Sequence, residues 1–235
     1  MTESLPYDIY SPTSIENHAK LLENKTFYEV LPQTDEASSG KGGLGQLIEK
    51  HHFFYEPNSD KEPDFKEAGV ELKLTPYKVN QNGTISAKER IVLNIKETFD
   101  ESSFLHKNRL LLLVYYQYLK DVDRLDYQIK YAQLFTYPDE DLKIIKDDWQ
   151  LIVNKIREGK AHELSEGDTF YLGACTKGKD KSALRCQPNN EVKAMQRAFS
   201  LKSKYATYIL NQYIRPKKVT YEPIIKDLQQ LENIR

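Results

Sequence analysis

Between Gly40 and Tyr77 the chain reads GKGGLGQLIEKHHFFYEPNSDKEPDFKEAGVELKLTPY, and no other segment limits the fold as tightly. Val70, Leu72 and Leu74 alternate with Glu71, Lys73 and Thr75. A period of two predicts a strand with one apolar face, and it places Glu71 and Lys73 together on the other. Pro63 fixes the backbone just before Asp64, and the polar run from Pro57 to Glu62 lets the chain turn back beside the strand. Upstream, Leu44, Leu47 and Ile48 mark the buried side of a short helix after Gly45 that carries Glu49. The segment thus asks for a helix and a polar loop around one half-buried strand, with three carboxylates and an amine close together.

Those residue types suit metal-dependent phosphodiester hydrolysis. Two carboxylates hold a divalent cation, and an amine on the same strand face orients or activates water. Spacing alone is weak support: an Asp-x6-Glu-x-Lys match arises by chance in roughly 5% of chains this long. With the variable gap such sites tolerate, chance supplies roughly one match per chain. The plain alternative is a solvated edge strand. Glu49, a third carboxylate beside the pair, is hard to explain as solubility.

Charge distribution adds to this. The formal net charge is −1, which looks wrong for a nucleic-acid partner until it is read locally. From Lys177 to Lys218 there are eleven lysines or arginines against two acids, Asp180 and Glu191, so the remainder of the chain is acidic. Such a split fits a basic surface that tracks phosphates beside an acidic part that hosts a cation, or else a solvated basic loop. Cys175 and Cys186 stand alone, with no Cys-x-x-Cys, which argues for reduced thiols in the cytoplasm. His51 and His52 are adjacent and point about 100° apart on a helix, so they do not form a paired ligand set. No apolar run reaches transmembrane length and no secretory signal is visible at MTESLPYDIY. At 235 residues the chain can bury one good core, in one lobe or two.

The remaining pattern is mixed. Ser14 can cap a helix through about Leu22. An Asn82-Gly83 turn closes a hairpin, KVNQNGTI, on the margin of the carboxylate strand, and a further strand runs from Arg90 to Lys96. Leu110 to Leu119 reads as a strongly apolar strand with a partner at Tyr127 to Tyr137. Asp139 to Glu158 reads as a long amphipathic helix with Ile144, Ile145, Trp149, Ile152 and Ile156 inward. A strand at Thr169 to Cys175 and a helix at Lys204 to Tyr213 follow. The abundant tyrosines are expected to be core and rim packing.

The runs GKGGLGQLIE and PDFKEAGVELKLTPY together resemble the MutH family of GATC-directed endonucleases, and within it the type II restriction enzymes that cut GATC. The resemblance continues through SAKERIVLNI, SSFLHKN, DDWQLIVNKIREGKAHELSEG, CTKG and QRAFSLKSKYATYIL, covering about Gly40 to Tyr213. It implies an α+β, restriction-endonuclease-like fold, a central mixed sheet flanked by helices in a two-lobed domain. The expected organisation is an N-terminal helical arm at 1–39, a catalytic and DNA-recognition domain at 40–215, and an amphipathic tail or linker at 216–235.

By the same resemblance the cofactor is Mg²⁺ and the substrate is double-stranded DNA containing GATC. Asp64, Glu71 and the Leu72 carbonyl are expected to ligate the metal, with Glu49 completing the site. Lys73 is expected to position the attacking water, and Lys107 matches a family lysine near the scissile phosphate. Lys177 matches the family's recognition lysine. Lys179, Lys181 and Arg185 in its loop, with Arg197, Lys202 and Lys204, are further expected DNA contacts. The mismatch-repair branch has Arg-Pro before the recognition lysine, where this chain has Cys175-Thr176, which favours the restriction branch. A methyl-directed nicking enzyme and a non-catalytic DNA-binding domain of the same fold are the alternatives. With one set of site residues, cutting both strands is expected to need a transient homodimer on DNA or a second MutH-like domain. The tail from Tyr221 to Ile234, with Ile224, Leu228 and Leu231 on one stripe, is the expected connector.

Overall fold

The computed structural model describes residues 5–32, 43–57, 61–94, 100–177 and 183–215. Its centre is the strand β4 (Leu110–Gln117), in the run LLLLVYYQ. A strand with no polar alternation must be covered on both faces, and β4 is. Leu111, Leu113 and Tyr115 enter one core with Trp149 and Phe199. Leu112 and Val114 enter a second with Ile15, Ile48, Phe53 and Phe65. β4 runs parallel to β1 (Glu71–Val79) and antiparallel to β5 (Ile129–Thr136). β2 (Ile85–Ala87) returns antiparallel on the outer edge of β1 through the Asn-Gly turn, where Gly83 has φ 78°. The sheet order is β2-β1-β4-β5, a mixed central sheet as expected.

The second core lies under α1 (Pro12–Lys20), the single-turn α2 (Phe27–Val30) and α3 (Leu44–His51). α1 starts earlier than expected. Ser11, not Ser14, is its N-cap, and the Ser11 hydroxyl accepts from the Ser14 N–H with Pro12 in the first turn. α1 and α3 are joined by a reciprocal clasp. The His18 ring Nε2 lies 3.0 Å from the His52 carbonyl, and the His52 Nε2 lies 3.1 Å from the His18 carbonyl. The two rings stack at 4.2 Å.

On the other face, α4 (Glu101–Asn108) runs straight into β4, and α5 (Asp139–Arg157) packs Ile145, Trp149, Ile152 and Val153 inward. Ile144 and Ile156, expected inward, are only half-buried. Buried Asp148 on α5 accepts the backbone N–H groups of Phe170, Tyr171 and Leu172 at 2.7–2.8 Å. That fixes the start of β6 (Leu172–Thr176).

β3 (Ile91–Asn94) does not join the hairpin's sheet. It pairs with β9 (Arg197–Leu201), which also pairs with β6, in a separate antiparallel sheet. Between them lies a hairpin of β7 (Leu184–Gln187) and β8 (Asn190–Met195). The hairpin turn rests on Gly159 at φ 74°, where an added Cβ would run into the Pro188 carbonyl. α6 (Ser203–Ile209) and a π-turn at Leu210–Ile214 close the described chain. The helix thus begins at Ser203 and its last turn widens. The expected tail at 216–235 and most of the arm's end at 33–39 lie outside the described residues. No described helix is long and apolar enough to cross a membrane.

Candidate active site

The start of β1 is where the polar residues gather. Phe65 and Val70 exchange backbone hydrogen bonds at 2.9 and 3.2 Å around a turn that Gly69 closes at φ 66°, a conformation that suits glycine. This turn lays Asp64 over β1. The Leu72 N–H donates to Asp64 Oδ2 at 2.9 Å, and the Asp64 N–H donates to Glu71 Oε2 at 3.2 Å. The Asp64 carboxylate is therefore held by the backbone of β1, and the Glu71 carboxylate by the backbone of the turn.

Glu71 is buried, with 2% of its surface exposed, so β1 is not a solvated edge at this point. The Lys73 ammonium donates to Glu71 Oε1 at 2.6 Å. The Lys107 ammonium reaches Glu71 Oε2 at 3.6 Å and donates to the Glu62 carbonyl at 2.9 Å. Lys107 arrives there because α4 feeds directly into β4, whose Leu111 stands opposite Glu71 in the parallel register. Two cations thus flank one buried carboxylate.

Electrostatics show a site rich in negative charge. Burial raises the Glu71 carboxyl above its usual range and Asp64 raises it further, while Lys73 and Lys107 oppose the rise. Glu49, half-buried on α3, is pushed up to about 7, by burial first and then by Asp64. Tyr55 completes the group and was not singled out in the sequence. Its ring packs edge-on against Phe65 at 5.4 Å, its N–H bonds the Glu49 carbonyl at 3.2 Å, and its buried hydroxyl has no partner among the described residues. Neither spacing nor periodicity marks a tyrosine at the end of HHFFY as a site residue.

Glu49, Asp64, Glu71, Lys73 and Lys107 are therefore brought to one place. Among the described residues no three His, Cys, Asp or Glu side chains close tightly enough to grip a metal by themselves. The donor set still suits a hard cation that keeps most of its waters and takes only one or two carboxylates. Crowded carboxyl oxygens with raised proton affinity, and an unpartnered hydroxyl beside them, are chemistry that a hard cation and its waters would fit.

The expected DNA contacts divide. Lys177 follows β6, with its N–H bonded to the Gln196 carbonyl at 2.7 Å. Arg185 on β7 and Lys204 on α6 are exposed. Arg197 and Lys202 are engaged inside the protein. The Arg197 guanidinium donates to the carbonyls of Ala174, Ala161 and Leu164 at 3.1–3.2 Å. Lys202, 8% exposed, donates to the carbonyls of Glu166 and Thr169. These two brace the second sheet against the loops around it. Lys179 and Lys181 lie outside the described residues.

Comparison with known proteins bears on this geometry. Residues 53–148 match the family model of the DNA mismatch repair enzyme MutH. The chain is 44% identical over 223 residues to the type II restriction enzyme Sau3AI of Staphylococcus aureus, an alignment that takes in 91% of this chain and 45% of that enzyme. It is 29% identical over 180 residues to the DNA mismatch repair protein MutH of Shewanella woodyi, covering 73% of this chain and 77% of that protein. The MutH of Actinobacillus pleuropneumoniae serotype 3 is 26% identical over 183 residues, 74% of this chain and 80% of that protein. The chain thus spans about half the length of Sau3AI. Among solved structures, the complex of restriction endonuclease MvaI with its cognate DNA overlays at a TM-score of 0.35 and 12% identity, over 86% of this chain and 95% of that one, a likeness too slight to bear on function.

Proposed function

We propose that the chain is a member of the MutH-like family and a Mg²⁺-dependent endonuclease that hydrolyses both strands of duplex DNA at GATC. One observation carries the proposal: Asp64, Lys73 and Lys107 gather on the buried Glu71 carboxylate, with Glu49 near enough to feel their charge. Asp64, Glu71 and the Leu72 carbonyl would hold the cation, with Glu49 beside them. When bound, the cation neutralises the scissile phosphate and lowers the pKa of a bound water.

The chain's own residues do the rest. Lys73 is tethered by Glu71 at 2.6 Å, so its ammonium keeps a fixed place from which to orient the attacking water and meet charge growing on the phosphoryl oxygens. Lys107, held by the Glu62 carbonyl at 2.9 Å, offers a second cation to the phosphate. Cleavage in line leaves a 3′-hydroxyl and a 5′-phosphate. Lys177 and Arg185 are the proposed readers of guanine O6 and N7 in the major groove, and Lys204 a phosphate contact. The two thiols, Cys175 and Cys186, are free, in keeping with a cytoplasmic location.

The test is a GATC-containing plasmid incubated with the protein, with and without Mg²⁺, and sequencing of the ends. Mg²⁺-dependent ends confined to GATC are expected; no cleavage, or ends unrelated to GATC, would contradict the proposal. A mismatch-repair nicking enzyme is the second possibility, favoured by the MutH relatives at 25–29% identity. Hemimethylated duplex separates the two, because such an enzyme cuts only the unmethylated strand.

A further inference from the structure

Tyr55 is placed with unusual care for a residue with no partner. Phe54, just before it, sits at φ 60°, a left-handed backbone that costs a bulky residue energy and persists only where the surroundings impose it. The effect is to send Phe54 outward, 59% exposed, and Tyr55 inward. Three contacts fix it there: its N–H on the Glu49 carbonyl, its ring edge-on to Phe65 at 5.4 Å, and Phe65 itself bonded on both sides to Val70. Those anchors are the immediate neighbours of Asp64 and Glu71, or Glu49 itself. The hydroxyl therefore ends among the site carboxylates, buried and without a partner among the described residues.

A buried hydroxyl left unpaired costs stability, and natural sequences seldom keep one without a use. Asp64, Glu49 and Glu71 lie near enough to bear on it electrostatically, and a phenol at neutral pH is an O–H donor. Phenylalanine would pack on Phe65 as well and avoid the orphan.

We propose that the Tyr55 hydroxyl is a positioning group of the cation site, a neutral donor that orients a carboxylate oxygen or a cation-borne water between Glu49 and Asp64. The assignment rests on the metal-dependent nuclease proposed above. It makes Tyr55→Phe a substitution with opposite effects on the metal-free and metal-bound protein. Without metal, removing the orphan leaves the fold as stable or more so. With metal, an orienting hydrogen bond is lost, an effect of 10–100-fold on affinity where such outer contacts have been removed.

The experiment is a calorimetric titration of Mn²⁺ into the full chain without DNA, for the wild type, Asp64→Ala and Tyr55→Phe, with thermal melting of each in EDTA. Tyr55→Phe is expected to bind Mn²⁺ at least about tenfold more weakly than the wild type. Its melting temperature in EDTA should be unchanged or raised by about 2–4 °C. Affinity within twofold of the wild type would make the hydroxyl an ordinary water-bonded group and overturn the proposal. A lowered melting temperature in EDTA would make any weaker binding a packing effect, and would overturn it too. If the wild type shows no Mn²⁺ site that Asp64→Ala abolishes, the nuclease proposal itself falls and takes this one with it.

Discussion

At the scale of single residues, Lys73 is the clearest case of a side chain whose position has a reason. It projects from the face of β1 that Glu71 shares, and Glu71 holds it at 2.6 Å. Lys73→Ala is expected to slow single-turnover cleavage of a GATC duplex by roughly 10²–10³-fold, the cost of one transition-state donor. Duplex binding measured in Ca²⁺ should stay within about threefold, because phosphate contacts elsewhere supply most of it. A rate loss below tenfold would remove Lys73 from the chemistry. Lys177 belongs to a different class. Lys177→Ala should leave phosphate-driven binding in place and cost roughly 1–3 kcal/mol of discrimination against scrambled sequence. Competition between GATC and scrambled duplexes measures it, and an unchanged ratio would refute the role.

At the scale of elements, the α1–α3 clasp ties the N-terminal helix to the helix that carries Glu49. Burial, and then the neighbouring His18, lower the His52 imidazole from 6.5 to about 4. The unfolded chain therefore binds more protons than the folded one between about pH 6.5 and 4, so stability is full above that window and falls as pH drops through it. Discounted for partial exposure, the loss is on the order of 1–2 kcal/mol. Urea midpoints at pH 7 and pH 4.5 should differ by less in His52→Gln than in the wild type; an equal difference in both would show that another group governs the acid limb.

The elements also show what a sequence can and cannot reveal. β1 and α5 were legible because their apolar residues recur at a strand or helix period, β4 because an unbroken apolar run marks a strand buried on both faces, and the Asn82-Gly83 turn because its glycine supplies the positive φ the loop needs. β7 and β8 carry mostly exposed side chains, so no apolar alternation marks them. β3 is legible as a strand, but its partner β9 lies about a hundred residues on, a pairing no local pattern encodes. The internal bonds of Arg197 and Lys202 were hidden for a related reason: charge is visible in sequence, but a backbone carbonyl waiting for it is not. Strand periodicity fixes the shared face of Glu71 and Lys73, and Pro63 with the polar run before it marks the turn that carries Asp64. Tyr55 could not, since its place depends on a left-handed turn at Phe54.

At the scale of the whole molecule, the described residues hold one set of Asp64, Glu71 and Lys73, whereas GATC is a palindrome with two scissile strands. On the proposed GATC target, double-strand cleavage takes either one site acting twice or two sites, and pairing with a second copy on DNA or a second MutH-like domain is the expected route. Working alone, the chain should nick first. In a time course at increasing protein concentration, nicked circles should precede linear plasmid, and linearisation should rise more steeply than in proportion to protein. Linear product without a nicked intermediate at nanomolar, monomeric protein would rule pairing out. The central claim, that the Asp64–Glu71–Lys73 cluster cuts DNA at GATC, is tested most directly by single-turnover cleavage of one GATC duplex and its scrambled control in Mg²⁺ by the wild type and Asp64→Ala. The wild type should cut the GATC duplex alone and Asp64→Ala should be slower by at least about 10³-fold while folded; cleavage by Asp64→Ala within tenfold of the wild type would contradict it.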